Sequence, residues 1–413
     1  MSKNVLFVTW DGPEVNYLES LFVPIFEQLK LYGYKFHVLQ FGWGDSERQS
    51  KARKACEEKG IPYRHVRIMR RPSIALGSAL TILLSKRALL CAIKDWEIDV
   101  LMPRATLPAW GVERANKKLC LPVVFDSDGL PIDEKIEFEG LTVSGFAHRL
   151  LRDIELRSLI SSNAVMVRSN DAACILRERA GALIDHSKFF VVGNGRDSNL
   201  FKPDHEGGDE DLKISLGLDP DATTLVYVGS LGGKYRFDQV LSYFQRVRNL
   251  RSDAQLLVVT PSPDFAMEAI RDIPESDSRH CVVVSVAGDE VPRYLSLADL
   301  GLVFIEPSYS MRAVAPVKLG EYLLCGLPVV ATVKNIGDSK SVIDPGFGFS
   351  IIEANESSFN EAAEWFDNLL ESGRLPLARS NARLAGIKYF SMEAVLAEYR
   401  SCLDFALSGG GGL

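Results

Sequence analysis

The segment Pro316-Val317-Lys318-Leu319-Gly320-Glu321-Tyr322-Leu323-Leu324-Cys325-Gly326-Leu327-Pro328-Val329-Val330-Ala331-Thr332 leaves little freedom in what this chain can build. It reads as a short helix, a glycine stop and a buried strand. Proline is tolerated in the first turn of a helix, where its missing N–H has no intrahelical partner to lose, so Pro316 marks the start. Gly326 suits the left-handed residue that ends many helices, and Pro328 just beyond it blocks continuation. Val329-Val330-Ala331 is then a brief apolar run of the kind buried in parallel sheets. On the helix, Lys318 and Glu321 are three residues apart and share a face. A cation and a carboxylate near a helix N-terminus suit a ligand with both phosphate and hydroxyl groups, because the free N–H groups there add positive partial charge.

The rest of the chain alternates strands and helices in the same way. Val5 to Thr9 reads as a first strand, followed by the loop Trp10-Asp11-Gly12-Pro13, a helix from about Tyr17 to Leu31, and a strand from Tyr34 to Leu39. This is the opening of a doubly wound parallel sheet, whose loop after the first strand points into the ligand crevice. Further strands are expected at 63–68, at 98–102 with Arg104 just past the end, at 121–125 and at 164–167. The pattern then starts again. Thr224 to Val228 is a strand, Gly229-Ser230-Leu231-Gly232-Gly233-Lys234-Tyr235 a glycine-rich loop whose N–H groups could approach a phosphate, and Phe237 to Val247 a helix. Strands at 254–259, 282–286 and 298–303 follow. A chain of 413 residues is too long for one ordinary core, and two domains of roughly 200 residues each are expected. The polar, glycine-bearing stretch His205 to Asp211 reads as the linker. The expected fold is therefore α/β, two Rossmann-like doubly wound parallel-sheet domains. Their expected limits are 1–204 and 205–390, with a C-terminal helix at 391–408 carrying Met392, Val395, Leu396, Tyr399, Leu403 and Ala406 at helical spacing.

A net charge of −7 argues against a protein that coats nucleic acid. The seven cysteines are scattered without a C-x-x-C pair, so neither a disulfide framework nor a zinc site is expected. The apolar run after Met-Ser-Lys-Asn is too short for a signal peptide, and no stretch approaches the ~18–20 apolar residues of a spanning helix. The expected location is cytoplasmic, with peripheral contact at the inner face of the membrane as an option. Arg67, Arg70 and Arg71 beside the apolar segment 73–93 would supply that contact; a core helix with a solvated basic loop is the plainer reading. Asp126-Ser127-Asp128-Gly129 places two carboxylates after a strand, a pairing used in glycoside chemistry and also a routine turn composition.

The segment 316–332 resembles the donor-binding segment of retaining glycosyltransferases of the GT-B fold, family 4 in particular, with the pattern P-x-K-x-x-E-Y-L-x-x-G-x-P-V-V. Phe189 to Pro203 is similar to that family's "v-I-P-N-G-v-D-x-x-x-F-x-P" signature, with Gly193 where proline is usual, and Gly288 to Leu295 is similar to the segment that frames the nucleobase. Two departures stand out. The family's "G-R-x-x-x-x-K-G" has Ser230 and Tyr235 at its charged positions here, and the first Glu of its E-x7-E motif is Ala313, while Glu321 matches the second.

The resemblance implies two domains facing a cleft and retaining transfer of a hexose from a nucleoside-diphosphate sugar to a glycan or lipid-linked acceptor. Surface polysaccharide or glycoconjugate synthesis is the implied setting, with no metal or other cofactor. By the same resemblance, Lys318 with the loop residues Gly229, Ser230, Gly232, Gly233, Lys234 and Arg236 meets the diphosphate, and Glu321 meets the ribose. Asn194, Arg293, Pro316 and Gly337 border the donor. Asp126 and Asp128 face the transferred sugar, and Asp11, Gly12 and Arg104 lie on the acceptor side, although an ordinary tight turn would also explain Asp11-Gly12. Two alternatives remain open: a nucleotide-sugar epimerase, and a non-catalytic protein that binds nucleotide or glycan. A dinucleotide-dependent dehydrogenase is disfavoured, since no G-x-G-x-x-G follows the first strand.

Overall fold

The computed structural model describes residues 2–13, 15–44, 46–203 and 209–409, apart from the side chains of Ser46 and Leu183. They divide into two compact units, 1–193 with 395–413, and 194–394. The boundary expected at 204/205, and most of the expected linker, lie outside the described residues. The second unit already takes in Asn194 and Arg196. The Asn194 amide donates to the Ala315 carbonyl at 2.8 Å, and the Arg196 N–H donates to the Phe390 carbonyl at 2.9 Å.

In the first unit, strands β1 (Lys3–Asp11), β2 (Tyr34–Gly42), β3 (Tyr63–Arg67) and β4 (Val100–Pro103) form a parallel sheet in the order β3-β2-β1-β4. Strands β5 (Val124–Asp126), β6 (Ala164–Val167) and β7 (Phe189–Val191) form a second parallel set. Parallel bridges Leu101–Val123 and Arg104–Asp126 join β4 to β5. The strand order therefore reverses between β1 and β4, which puts the loops carrying Asp11-Gly12 and Arg104 at the switch point. Val5, Leu6, Phe7 and Val8 are wholly buried, as expected of a central parallel strand covered on both faces.

The expected helix from Tyr17 to Leu31 is three pieces: a wide turn Leu18–Phe22, an α-helix Val23–Leu29 and a tight turn Lys30–Tyr32. Pro24 lacks an N–H and so breaks the regular ladder near the join. The C-terminal helix Met392–Leu407 buries Val395, Leu396, Tyr399, Leu403 and Ala406. In the first unit Phe405 meets Phe190 edge-on at 5.4 Å, and the Tyr34 hydroxyl donates to Asp404.

In the second unit, strands β8 (Thr224–Val228), β9 (Gln255–Val259), β10 (Cys281–Val284), β11 (Leu300–Val303), β12 (Val329–Thr332) and β13 (Gly348–Ile351) form one sheet. Their order is β10-β9-β8-β11-β12-β13, and every neighbouring pair is parallel. The reversal falls between β8 and β11. The glycine loop after β8 and the 304–316 segment after β11 thus border one crevice at the carboxyl edge.

Candidate functional site

Helix Val317–Leu324 is fixed at that edge mainly by what its glycines and Tyr322 permit. A Cβ on Gly301 of β11 would lie 2.5 Å from the Tyr322 ring, so only glycine lets the tyrosine lie on the strand. The Tyr322 hydroxyl then accepts the Val228 N–H at 2.7 Å. On the other side, a Cβ on Gly386 would lie 2.5 Å from the Leu324 backbone nitrogen, and one on Gly320 2.7 Å from the Phe390 ring. Helix Leu375–Phe390 can pack this closely because both positions are bare. The helix ends in a Schellman motif: Gly326 has φ 68°, its N–H reaches the Leu323 carbonyl, and the Leu327 N–H reaches the Tyr322 carbonyl. Arg383 donates to the Leu324 carbonyl, a cation placed where the helix dipole is negative.

Lys318 and Glu321 are both nearly buried. The Lys318 ammonium lies 3.9 Å from the Tyr227 ring centroid and 4.6 Å from that of Tyr235. Among the described residues it has no hydrogen-bond partner. Burial lowers its pKa to about 7, with the Glu321 charge pulling the other way. A Cβ on Gly229, whose φ is 114°, would stand 3.4 Å from this ammonium. The bare backbone of the loop and the charge of the lysine therefore face each other across the space left by the missing side chain. The Glu321 carboxylate is paired with Arg196 at 2.9 Å. Burial raises its pKa, while Arg196 and then Lys318 lower it.

Arg196 was not singled out in the sequence. Its guanidinium lies over the Phe201 ring at 5.8 Å. The only local hint was an arginine at a position where the resembled signature has an apolar residue. Asn194 sits beside it and braces Ala315, the residue before Pro316, which is the N-cap of the helix. The glycine loop is a tight turn held by the Tyr235 N–H on the Gly232 carbonyl at 3.0 Å and by pairing of Tyr235 with Ile305. The Tyr227 hydroxyl donates to the Ser230 carbonyl at 2.6 Å. Gly232 and Gly233 have φ of 77° and 58°, left-handed values that glycine adopts without strain. The Gly337 N–H donates to the Met311 carbonyl at 3.0 Å.

The other cations expected at the diphosphate are differently placed. Arg236 is ion-paired with Asp238 at 2.6 Å and with Glu306, so its charge is already met by two carboxylates. Lys234 has its ammonium 5.9 Å from the Tyr235 ring centroid. Arg293 was expected to border the donor. It is an exposed residue whose guanidinium is ion-paired with Asp209 at 2.5 Å.

In the first unit, the carboxyl-edge residues form a buried charge network. Asp126 is wholly buried and paired with Arg168, which also donates to the Val192 carbonyl at 3.1 Å. Asp126, expected to face the transferred sugar, is thus an internal counter-ion to Arg168. Asp11 is likewise buried, accepting from Thr9 at 3.1 Å and Gln40 at 2.7 Å. Burial raises its pKa against the pull of Arg104. The room left at Gly12 is taken by Trp43, whose ring would lie 3.1 Å from an added Cβ. Arg104 pairs with Asp128 and lies 5.0 Å from the Phe22 ring. Asp128, in a left-handed conformation at φ 53°, keeps a part-exposed side chain. Burial raises its pKa to about 6 against the pull of Arg104. Of the paired carboxylates, only Asp128 reaches solvent.

Residues 222–370 match the family model described as glycosyl transferases group 1. A candidate teichuronic acid biosynthesis glycosyltransferase of Bacillus subtilis strain 168, TuaH, is 24% identical over 195 residues, covering 46% of this chain and 45% of that relative. The match thus spans less than half the length of the relative. Among solved structures, a glycosyltransferase from Rickettsia africae superposes with a TM-score of 0.75 at 15% identity, over 98% of this chain and 99% of that one. Anabaena HepE in complex with UDP gives a TM-score of 0.71 at 15% identity, over 98% and 100%. The UDP-GlcNAc 2-epimerase of Neisseria meningitidis bound to UDP-GlcNAc gives 0.61 at 13% identity, over 98% and 100%. The chain therefore has the GT-B fold, and its residues 222–370 are similar to the glycosyl transferases group 1 domain.

Proposed function

We propose that this chain is a retaining, family 4-like hexosyltransferase. It would move a sugar from a nucleoside-diphosphate sugar, with uridine as the base, to a glycan or lipid-linked acceptor in surface polysaccharide synthesis. The observation that carries the reading is the Lys318 ammonium, buried without a hydrogen-bond partner among the described residues beside the bare backbone of Gly229. An ammonium in this setting is costly until an anion arrives. Negative charge that grows on a leaving diphosphate is what a preorganised cation and helix N–H dipoles stabilise best. One turn along the same helix, Glu321 offers an acceptor for ribose hydroxyls, steadied by Arg196. Asn194 and Pro316 border this helix start, and Gly232, Gly233 and the Ser230 backbone shape the loop facing it. UDP and UDP-glucose in the HepE structures support uridine, and the name of TuaH supports the polysaccharide setting. In the first unit, Asp128 with Arg104 is the pair we assign to the acceptor side.

The test is a thermal-shift screen of UDP, GDP, ADP and their sugars, followed by transfer assays on the UDP-sugar that binds. NMR of the product reports the anomeric configuration. Lys318→Ala is expected to lower kcat about 100-fold; unchanged turnover would sink the assignment. An epimerase, the activity named for one structural neighbour, would instead convert the donor sugar with no acceptor present.

A further inference from the structure

Helix Ile74–Leu84 is apolar on both of its sides. Its inner side is Gly77, Thr81 and Ile82, all buried. Thr81 accepts the Met69 N–H and donates to the Gly77 carbonyl, each at 2.8 Å. Its outer side carries Leu76, Leu80, Leu83 and Leu84 at helical spacing. Leu76 is 58% and Leu84 68% exposed, and Ile74 at the first turn is 62% exposed. A helix that is apolar all round normally sits in a core or in lipid, and a continuous stripe of large exposed side chains marks an interaction surface.

The rim of this stripe is basic. Arg70 and Arg71 precede the helix, Lys86 and Arg87 follow it, and all four are exposed. Between residues 67 and 95, Arg67 and Lys94 add to those four, and Asp95 is the sole carboxylate, in a chain whose net charge is −7. We propose that this helix and its rim are a docking face for an anionic lipid bilayer, with the leucines in the acyl boundary and the cations at the headgroups.

Charge decides the occupant. Two copies of a face this basic would repel each other, so self-association is disfavoured. The segment does not cross the membrane in one helix. Its two helices, Ile74–Leu84 and Lys86–Asp95, meet at a bend of 42°. Ile82, Leu89, Ala92 and Ile93 are buried in the first unit's core. The helix follows the carboxyl end of β3, the same sheet edge that carries Asp128 and Arg104. A bilayer there would present a lipid-borne acceptor to that edge, but the surface argument stands without the transferase reading.

The test is co-sedimentation of the full chain with vesicles of phosphatidylcholine alone and of phosphatidylcholine mixed with phosphatidylglycerol, without donor or acceptor. Binding is expected only to the mixed vesicles and is expected to fall with added salt. Replacing Arg70, Arg71, Lys86 and Arg87 by Gln should weaken it about fivefold per residue, equivalent to about 1 kcal/mol each. Leu80→Glu with Leu84→Glu should abolish it. Both sets change exposed side chains, and thermal melts check that they fold; if the Glu pair misfolds, the Gln set carries the test. Wild-type protein left in the supernatant with mixed vesicles at low salt would overturn the proposal, as would variants that bind like wild type. A dimer in ultracentrifugation that the Leu variants dissolve, without vesicle binding, would assign the face to a second copy instead. Because the vesicles carry no substrate, failure here leaves donor binding to be judged separately.

Discussion

Raising the pH from 7 to 9 is expected to weaken UDP binding about 50-fold, through Lys318 alone. Burial lowers this lysine to about 7 in the free protein. Below that pH the ammonium is already present and meets the diphosphate at no further cost. Above it the free protein holds a neutral amine, and binding must first recover a proton. The first pH unit above 7 costs about fivefold and each later one about tenfold, or about 1.4 kcal/mol, until the pKa of the complex is reached. The terminal phosphate of UDP has a second pKa near ~6, so its own titration is finished over this range.

At pH 8 about nine-tenths of the free lysine is neutral, and binding should take up close to one proton. Isothermal titration calorimetry in two buffers of different ionisation enthalpy measures that uptake directly. Lys318→Met should bind weakly at every pH with no uptake. It should also unfold at a higher temperature than wild type, since the buried ammonium has no hydrogen-bond partner among the described residues to offset its desolvation. A flat affinity from pH 7 to 9 with no proton uptake would refute the reasoning, because either the lysine is not desolvated or the diphosphate does not meet it.

Further substitutions test the surrounding architecture. Arg196→Met should destabilise the protein by about 3–5 kcal/mol in urea unfolding by stranding the Glu321 carboxylate, and adding Glu321→Gln should recover much of the loss. Gly386→Ala would be neutral or helpful in an ordinary exposed helix. Here the Cβ meets the Leu324 backbone at 2.5 Å, so a loss of about 1–3 kcal/mol is expected. Gly229→Ala at φ 114° should cost about 1–3 kcal/mol of stability and crowd the ammonium, seen as weaker UDP binding. Asp126→Asn should lower the unfolding midpoint by uncovering Arg168, as befits an internal counter-ion; a variant of native stability that has lost only activity would return Asp126 to the sugar.

Some of this protein was legible from local chemistry alone. Pro316, Gly326 and Pro328 set the helix and its stop within one short stretch, and the Schellman motif found there needs nothing from elsewhere in the chain. Thr224–Val228 and Ala164–Val167 emerge as the strands their apolar runs implied, because a strand buried on both faces shows itself in composition. Ser169 caps the helix that follows β6, with its side chain accepting the Ala172 N–H at 3.0 Å, again a local event. The placement of Lys318 and Glu321 on one helix face follows from helical spacing and was equally readable.

What needed the tertiary structure is whatever depends on residues distant in sequence meeting in space. Asp126 and Asp128 look alike on paper. Folding buries one against Arg168 and leaves the other partly open beside Arg104, and it is burial rather than residue type that separates them. Arg236 and Arg293 read as unpaired cations in the sequence, and the fold supplies Glu306 and Asp209 as their counter-charges. Arg196 reads as nothing until it meets Glu321. The sequence alone determined the α/β alternation, the helix carrying Lys318 and Glu321, and the glycine loop, because periodicity and turn chemistry act between near neighbours. Only the tertiary structure decided which charges are buried and which are paired, because desolvation and pairing depend on what packs around each group.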